Sequence, residues 1–230
     1  MTPSPALKIN EIYLSVQGES SFSGQPCVFV RLTGCDLRCS YCDTPYAFFE
    51  GQRATLEEIA ERVESFRTPL VELTGGEPLL QPGAPALAAL LCDRGHTVLI
   101  ETSGAHDISK LDRRVIRILD VKTPSSGESA RNRWENLADL RESDELKFVI
   151  GSREDFDWAR ERIREHSLER KVRTILFSPV FPTPASPGQT AGHAGIDPKL
   201  LVEWILAERL PVRFQLQIHK FVWPPSQRGV

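Results

Sequence analysis

The sequence predicts an α/β fold, a partial barrel of the TIM type with parallel strands. Apolar, β-branched segments alternate along the 230 residues with amphipathic ones, which is typical of βαβ units. The middle segments are continuously apolar, as in strands covered on both faces. About six barrel-type strands with N-terminal extras are too few for a closed barrel of about 250 residues. A doubly wound sheet gives a similar pattern and stays open as an alternative.

The individual elements follow from local periodicity and capping residues. Strands are predicted at 8–16, 27–33, 70–74, 97–101, 115–121, 145–150, 173–177 and 212–218. Helices are predicted at 55–66, 84–94, 131–140, 153–166 and 197–208. Thr55 is a suitable N-cap for the first helix, and Glu58 completes a capping box. No internal repeat is evident, so we expect residues 1–230 to form one domain.

Composition limits the location and the partners. The net charge of −3 gives no sign of a nucleic-acid-binding surface. No apolar run approaches the roughly 18 residues needed to cross a membrane, and residues 1–10 do not resemble a secretory signal. We therefore expect a cytoplasmic protein without a nucleic-acid or membrane partner. Segment 181–198, rich in Pro and Gly, is expected to be a loop and a candidate lid over the site.

Three of the five cysteines crowd into one loop, at 34–44, with the spacing Cys35-x3-Cys39-x2-Cys42. In a reducing cytosol, clustered thiols are more often metal ligands than disulfide partners. Three protein ligands leave one position of a metal centre open, whereas a structural zinc site closes with a fourth Cys or His. A non-enzymatic zinc-binding module stays an alternative, because a distant residue such as His96 can fold back.

Polar motifs follow several predicted strands. They are TGGEP (74–78), ETSG (101–104), DVKTPSSG (120–127) and Ser178–Pro179. In both candidate architectures, sites form at the C-terminal ends of the strands. The two glycines of TGGEP allow the backbone to approach a ligand closely, and Pro78 fixes the turn into the next helix. We therefore expect these motifs to meet at one site.

The cysteine spacing, with Tyr41 just before the last cysteine and TGGEP about thirty residues later, resembles the radical S-adenosylmethionine superfamily. The resemblance implies that Cys35, Cys39 and Cys42 hold a [4Fe–4S] cluster whose fourth iron is chelated by S-adenosylmethionine. One electron would then release a 5′-deoxyadenosyl radical. The cofactor contacts that it implies are Tyr41, Cys42, Asp43, Gly76, Glu77, Ser103, Asp120, Lys122, Ser178 and Pro179. Asp120 and Lys122 are equally compatible with a structural ion pair.

Further segments narrow the resemblance. YLSVQGES (13–20), Arg31, Asp43–Thr44, ETSG, DVKTPSSG and QIHKFVWPPSQRGV resemble the 7-carboxy-7-deazaguanine synthase family, over essentially the whole chain. This implies a carbon–nitrogen lyase that contracts the ring of 6-carboxy-5,6,7,8-tetrahydropterin with loss of ammonia, in queuosine or 7-deazapurine biosynthesis. The substrate contacts implied are Val16, Gln17, Gly18, Glu19, Arg31, Thr74, His219 and Val230, the last through the terminal carboxylate. Thr44 is implied as a ligand of Mg²⁺.

The family resemblance also implies partners. A flavodoxin or ferredoxin is the expected electron donor, and a homodimer is the expected assembly. The nearest alternative is another small radical S-adenosylmethionine enzyme, such as an activase that makes a glycyl radical on a partner protein. An activase predicts a protein partner and no substrate pocket built from Gln17–Glu19 and Arg31.

Overall fold

The computed structural model describes residues 6–182, 193–224 and 227–230, and these form one nine-stranded sheet. The strands are β1 (Ala6–Val16), β2 (Pro26–Leu32), β3 (Gln52–Thr55), β4 (Leu70–Gly75), β5 (Thr97–Thr102), β6 (Ile116–Val121), β7 (Glu145–Ile150), β8 (Thr174–Pro179) and β9 (Arg213–Phe214). The helices are α1 (Leu56–Glu64), α2 (Ala84–Asp93), α3 (Arg153–His166), α4 (Pro198–Glu208) and α5 (His219–Val222).

The sheet is open and mostly parallel, with the order β3-β1-β2-β4-β5-β6-β7-β8-β9. From β2 across to β9 every neighbouring pair is parallel, and β1 is antiparallel to β2 and β3. The strand order after β2 follows the chain, as in a barrel, and does not reverse as in a doubly wound sheet. The expected partial barrel with parallel strands is therefore confirmed.

The long helices cover one face of the sheet. Apolar residues from α1 to α4 join one core cluster with alternate residues of the strands, such as Val71 and Leu73 of β4. Side chains of successive strand residues point to opposite faces. Leu70, Leu99 and Ile118 therefore face the other side, where they form a smaller apolar cluster with Cys27 and Phe29. We call this second side the inner face.

Most sequence-based bounds agree with the structure. The strands predicted from 8–16 to 173–177 match β1, β2 and β4 to β8 to within two residues, and four of the five helices do so too. The capping box is present: Glu58 N donates to Thr55 Oγ1, and Thr55 N donates to Glu58 Oε2 (2.7 Å). None of the helices among the described residues has the length and apolar character of a membrane span.

Three details of the prediction were wrong or incomplete. The helix at 131–140 is replaced by two short 3₁₀ turns, because Asn136 turns inward and donates to the carbonyls of Gly104 and His106. The strand at 212–218 shrinks to β9, because the side chain of Gln215 bonds the backbone of Ser20 (2.6 and 2.9 Å). The polar strand β3 was missed, and most of the expected lid at 181–198 lies outside the described residues.

A fully buried carboxylate ties the starts of β6 and β7 together. Asp144 accepts hydrogen bonds from Arg117 N and Arg141 N, and it forms an ion pair with Arg117 Nε (3.0 Å). Burial lowers the pKa of Arg117 while Asp144 opposes that shift. Removing a single partner of such a pair leaves a buried charge without compensation.

We therefore expect Asp144→Ala to lower the free energy of unfolding by about 3–5 kcal/mol. Chemical denaturation measures this. The matched control is Asp157→Ala, which removes an exposed carboxylate paired with Arg153 and Arg160 and is expected to cost about 1 kcal/mol or less. Equal effects of the two substitutions would contradict this view of Asp144.

Candidate active site

A cavity on the inner face collects the C-terminal ends of the strands, the cysteine loop and the start of α5. The predicted site residues that line it are Val16, Gln17, Gly18, Glu19, Arg31, Cys35, Cys39, Tyr41, Cys42, Asp43, Thr44, Thr74, Gly76, Ser103, Asp120, Lys122, His219 and Val230. Glu77, Ser178 and Pro179 do not line it, although all three are buried nearby. One cavity thus brings together the two groups of residues that the resemblance assigned to cofactor and substrate.

The cysteine loop packs tightly against the TGGEP turn. Glu77 N donates to Gly34 O (2.8 Å), and Gly76 N donates to Leu32 O. A Cβ at Gly76 would overlap Gly34 O and lie 2.7 Å from Cys35 Cβ. Gly75 has a φ of +146°, a conformation that other residues rarely adopt. The two glycines therefore let the loop and the turn touch backbone to backbone.

Glu77 organises this turn from behind the cavity wall. Its carboxylate accepts hydrogen bonds from Leu79 N, Thr102 Oγ1, Ser103 N and Ser103 Oγ, all at 2.7–2.9 Å. The side chain is fully buried. Glu77 thus fixes the end of β5 relative to the end of β4, so that Ser103 faces the cavity.

The three thiols fit an iron–sulfur cluster, because all three face one cavity. Cys35, Cys39 and Cys42 all line the cavity. Among the described residues, no three His, Cys, Asp or Glu side chains converge on a common metal position. A cluster needs separate thiolates, one for each iron that the protein ligates. Burial raises the pKa of all three thiols, to about 11 for Cys42, so a thiolate here needs adjacent positive charge, such as iron.

An ion pair between two side chains lies at the end of β6, beside the cysteine loop. Lys122 Nζ lies 2.9 Å from Asp120 Oδ2. Within the described part of the chain, Asp120 Oδ1 is buried without a hydrogen-bond partner. Burial opposes ionisation of Asp120, but Lys122 and Lys147 together lower its pKa. Asp120 can therefore accept a hydrogen bond from a bound molecule.

On the opposite side of the cavity, the turn after β1 is held by its own side chains. Gln17 Oε1 accepts from Glu19 N (3.0 Å), and Gln17 Nε2 donates to Glu72 Oε2. Burial would raise the pKa of Glu19, but Lys147 and His219 lower it to about 2. At neutral pH the turn therefore carries a carboxylate, which Lys147 and Gln217 also bond.

His219 closes over the same turn. A Cβ at Gly18 would overlap His219 Nδ1, and Ile218 N donates to Gly18 O (3.1 Å). Burial lowers the pKa of His219. The next residue, Lys220, forms an ion pair with Asp43 Oδ2 (2.6 Å), so the segment after β9 joins the turn to the cysteine loop. Burial favours protonation of Asp43, but Lys220 outweighs it and lowers the pKa.

Arg31 is presented to the cavity by a set of oxygens behind it. Its Nε donates to Glu11 Oε1 (2.8 Å) and its Nη2 to Tyr13 OH (2.8 Å). Tyr46 OH donates to the same oxygen of Glu11 (3.1 Å). Since Arg31 lines the cavity, its remaining N–H groups are available for an anion, and the guanidinium fork suits a carboxylate.

The sequence reading missed a layer of charges on the inner face. Glu72 and Lys147 line the cavity from the middle of β4 and β7, and Glu101 lines it from near the end of β5, at the start of ETSG. Burial and then the neighbouring Glu101 raise the pKa of Glu72, and burial also raises the pKa of Glu101. A signal was present, because each is a charged residue in a largely apolar strand (LVELTG, TVLIET, ELKFVI). Buried ionisable groups with strongly shifted pKa values cluster at functional sites.

Comparison with known proteins places this cavity in a class of enzymes. The model of the radical SAM superfamily matches residues 29–178, which run from β2 to the end of β8 and include the cysteine loop and the TGGEP turn. The chain therefore belongs to the radical SAM superfamily, and its cofactors are a [4Fe–4S] cluster and S-adenosylmethionine.

Full-length relatives narrow the class to one family. The chain is 47% identical to the 7-carboxy-7-deazaguanine synthase of Koribacter versatilis, covering 97% of this chain and all of the relative, and 47% identical to that of Chlorobaculum tepidum, covering both fully. A solved structure of QueE from Escherichia coli has the same fold, with a TM-score of 0.68 at 22% identity over 92% of this chain and 93% of that one. The chain is a member of the 7-carboxy-7-deazaguanine synthase family, radical SAM enzymes of 7-deazapurine biosynthesis.

We expect Gly76→Ala to displace the cysteine loop, because the added methyl group has no room beside Gly34 and Cys35. Overpacking of this kind costs about 1–3 kcal/mol. Iron and sulfide content after anaerobic reconstitution should fall below that of the wild type. Gly83→Ala is the control, since its Cβ would meet only the flexible end of Leu7 at 3.1 Å. Full cluster content in Gly76→Ala would contradict the expectation.

We also expect Glu72→Gln to change the pH dependence of stability. Burial and Glu101 raise the pKa of Glu72 in the folded state, so folding takes up a proton above the unfolded pKa of about 4.3. Wild-type stability therefore falls as the pH rises from there toward the folded pKa, by about 1.4 kcal/mol per pH unit at most. Glutamine lacks this loss.

Chemical denaturation at several pH values between about 4 and 8, starting near the unfolded pKa of glutamate, measures the difference in stability between the two proteins. The advantage of Glu72→Gln over the wild type should grow with pH. The exposed Glu142→Gln is the control and should track the wild type. A difference that is independent of pH would show that Glu72 is ionised in the folded chain.

Proposed function

We propose that this chain converts 6-carboxy-5,6,7,8-tetrahydropterin to 7-carboxy-7-deazaguanine and ammonia, as a carbon–nitrogen lyase. The observation that carries the proposal is the placement of Arg31 and the Gln17–Glu19 turn in one cavity with the three cysteines. Loss of one ammonia balances the conversion with no net oxidation or reduction. The electron that starts the reaction is therefore needed only to generate the radical.

In this proposal one part of the cavity holds the cofactors. Cys35, Cys39 and Cys42 ligate three irons of the cluster, and when bound the cluster and S-adenosylmethionine supply a carbon radical that removes a hydrogen atom from the pterin. Asp120, through its buried Oδ1, accepts a hydrogen bond from S-adenosylmethionine. The other proposed contacts are Tyr41, Asp43, Gly76, Ser103 and Lys122. Glu77, Ser178 and Pro179 lie behind the wall, which suits support rather than contact.

The other part holds the substrate. Arg31 pairs with the 6-carboxylate, because its fork faces the cavity with Glu11 and Tyr13 fixing its orientation. Glu19 and the backbone of 16–18 meet the donor–acceptor edge of the pterin. The wall of this part of the cavity also contains Thr74, His219 and Val230.

We further propose a Mg²⁺ ion at Thr44. Its hydroxyl lies at the cavity wall, 4.0 Å from Cys42 Sγ, where the cluster and substrate parts meet. Hydroxyl oxygen is a suitable ligand for a hard cation, and Mg²⁺ commonly keeps several waters and substrate oxygens in place of protein ligands. The neighbouring Asp43 is already engaged by Lys220.

Partners and organisation complete the proposal. We propose one domain over residues 1–230, a homodimer, a cytoplasmic location, and a flavodoxin or ferredoxin as electron donor. A one-electron donor is required because reductive cleavage of S-adenosylmethionine consumes an electron. Amino-acid side chains are not strong enough reductants to supply it.

The test is turnover by anaerobically reconstituted protein with the carboxylated pterin, S-adenosylmethionine, Mg²⁺ and a reductant. We expect 7-carboxy-7-deazaguanine, and a fall in kcat/KM of roughly 10–150-fold for Arg31→Met, the loss of a charged hydrogen-bond pair of about 1.5–3 kcal/mol. Cleavage of S-adenosylmethionine without deazaguanine would contradict the proposed reaction and favour an activase.

Two controls make the role of Arg31 specific. Arg114→Met removes an arginine that pairs on the surface with Asp93 and Asp112, and it should leave kcat/KM unchanged. A tetrahydropterin without the 6-carboxylate, used as a competitor, should bind wild type and Arg31→Met equally. A competitor that is weakened as strongly as the substrate would show that Arg31 does not read the carboxylate.

A further inference from the structure

Lys147 is a buried ammonium that three carboxylates share. Its side chain is 4% exposed in the middle of β7. Nζ lies 2.8 Å from Glu19 Oε2 and 3.4 Å from Asp120 Oδ2, and it also donates to Glu101 Oε1. An ammonium has three N–H donors, so each carboxylate can receive one.

The sheet brings these partners together from separate parts of the chain. Asp120 is the direct neighbour of Lys147 in the pairing of β6 with β7, and Glu101 lies one strand further along. Glu19 comes from the turn after β1, which is 128 residues away in the sequence. Lys147 Nζ contacts both carboxylates, so it holds Glu19 and Asp120 close to each other.

The charge at this point is fixed in sign. Burial disfavours the ammonium, but Asp120, Glu101 and Glu19 raise the pKa of Lys147 well above its usual value. Two further contacts fix the orientation of these carboxylates. Gln217 Nε2 donates to the other oxygen of Glu19, and Lys122 also contacts Oδ2 of Asp120. Asp120 Oδ1 is buried and has no hydrogen-bond partner among the described residues.

Glu19 lies in the part of the cavity proposed for the pterin, and Asp120 in the part proposed for S-adenosylmethionine. We propose that Lys147 is a positioning residue that links the two ligand sites, by holding Glu19 for the substrate and Asp120 for the cofactor. The inference rests on the proposed function. It predicts that loss of this ammonium weakens the binding of two different ligands, although Lys147 itself donates its hydrogen bonds to protein carboxylates.

Binding without turnover tests this directly. Protein with a reconstituted cluster, kept anaerobic and without reductant, is titrated calorimetrically with S-adenosylmethionine and, separately, with the carboxylated pterin. We expect Lys147→Met to weaken both by about tenfold or more, the loss expected when a charged hydrogen bond is removed. Lys147→Arg, which keeps a cation with several donors, should recover part of both affinities.

The matched control is Lys199→Met, the same change at an exposed lysine that pairs with Glu203 on α4, and both affinities should stay at the wild-type value. Thermal unfolding followed by circular dichroism establishes that each variant is folded. If Lys147→Met does not fold, Lys147→Gln, which retains an amide donor, is measured with the same expected direction.

The outcomes separate this inference from the proposed function. A folded variant that binds both ligands as well as the wild type overturns the inference alone. A variant that loses affinity for one ligand only also overturns it, because the residue then serves a single site. A wild-type chain that binds S-adenosylmethionine but no pterin overturns the proposed function, and with it the link.

Discussion

The site depends on burying several charges inside an incomplete barrel. Carboxylates and ammonium groups lose their hydration there and are stable only when paired with good geometry. Lys147 meets this requirement for Glu19, Glu101 and Asp120 at once. The apolar cluster around Phe29 and Leu99 closes the inner face below. The charged layer is thus held between an apolar floor and the cysteine loop above.

The second constraint is the close approach of two loops at the strand ends. Gly76 leaves no space for a side chain against Gly34 and Cys35, so the loop after β2 and the turn after β4 form one unit. Glu77 extends that unit to β5 through Thr102 and Ser103. Since β2, β4 and β5 are parallel neighbours, the cysteine loop is placed by the sheet itself. The three cysteines that would hold the cluster therefore line the same cavity as the charged layer.

Motifs at strand ends could be predicted from sequence, because parallel strands bring their C-terminal ends to one edge. The cysteine loop, TGGEP and Arg31 meet at the cavity for this reason. Glu72 and Lys147 were missed, because mid-strand residues belong to no motif and reveal their partners only in three dimensions. Glu101 begins the ETSG motif, but the motif assigned no role to this side chain. Conversely, a motif does not say which way a side chain points. Glu77 and Ser178 match the family pattern and yet lie behind the wall.

The open edge of the sheet explains why the substrate part is built from distant segments. A closed barrel would supply further strands between the edge strands β9 and β3, whereas here the chain after β9 crosses back to the turn after β1. Ile218 bonds Gly18, and Gln215 bonds Ser20. Lys220 then reaches Asp43 beside the cysteines. The part of the cavity proposed for the cofactor therefore rests on neighbouring parallel strands, while the part proposed for the substrate is completed only when the last segment is in place.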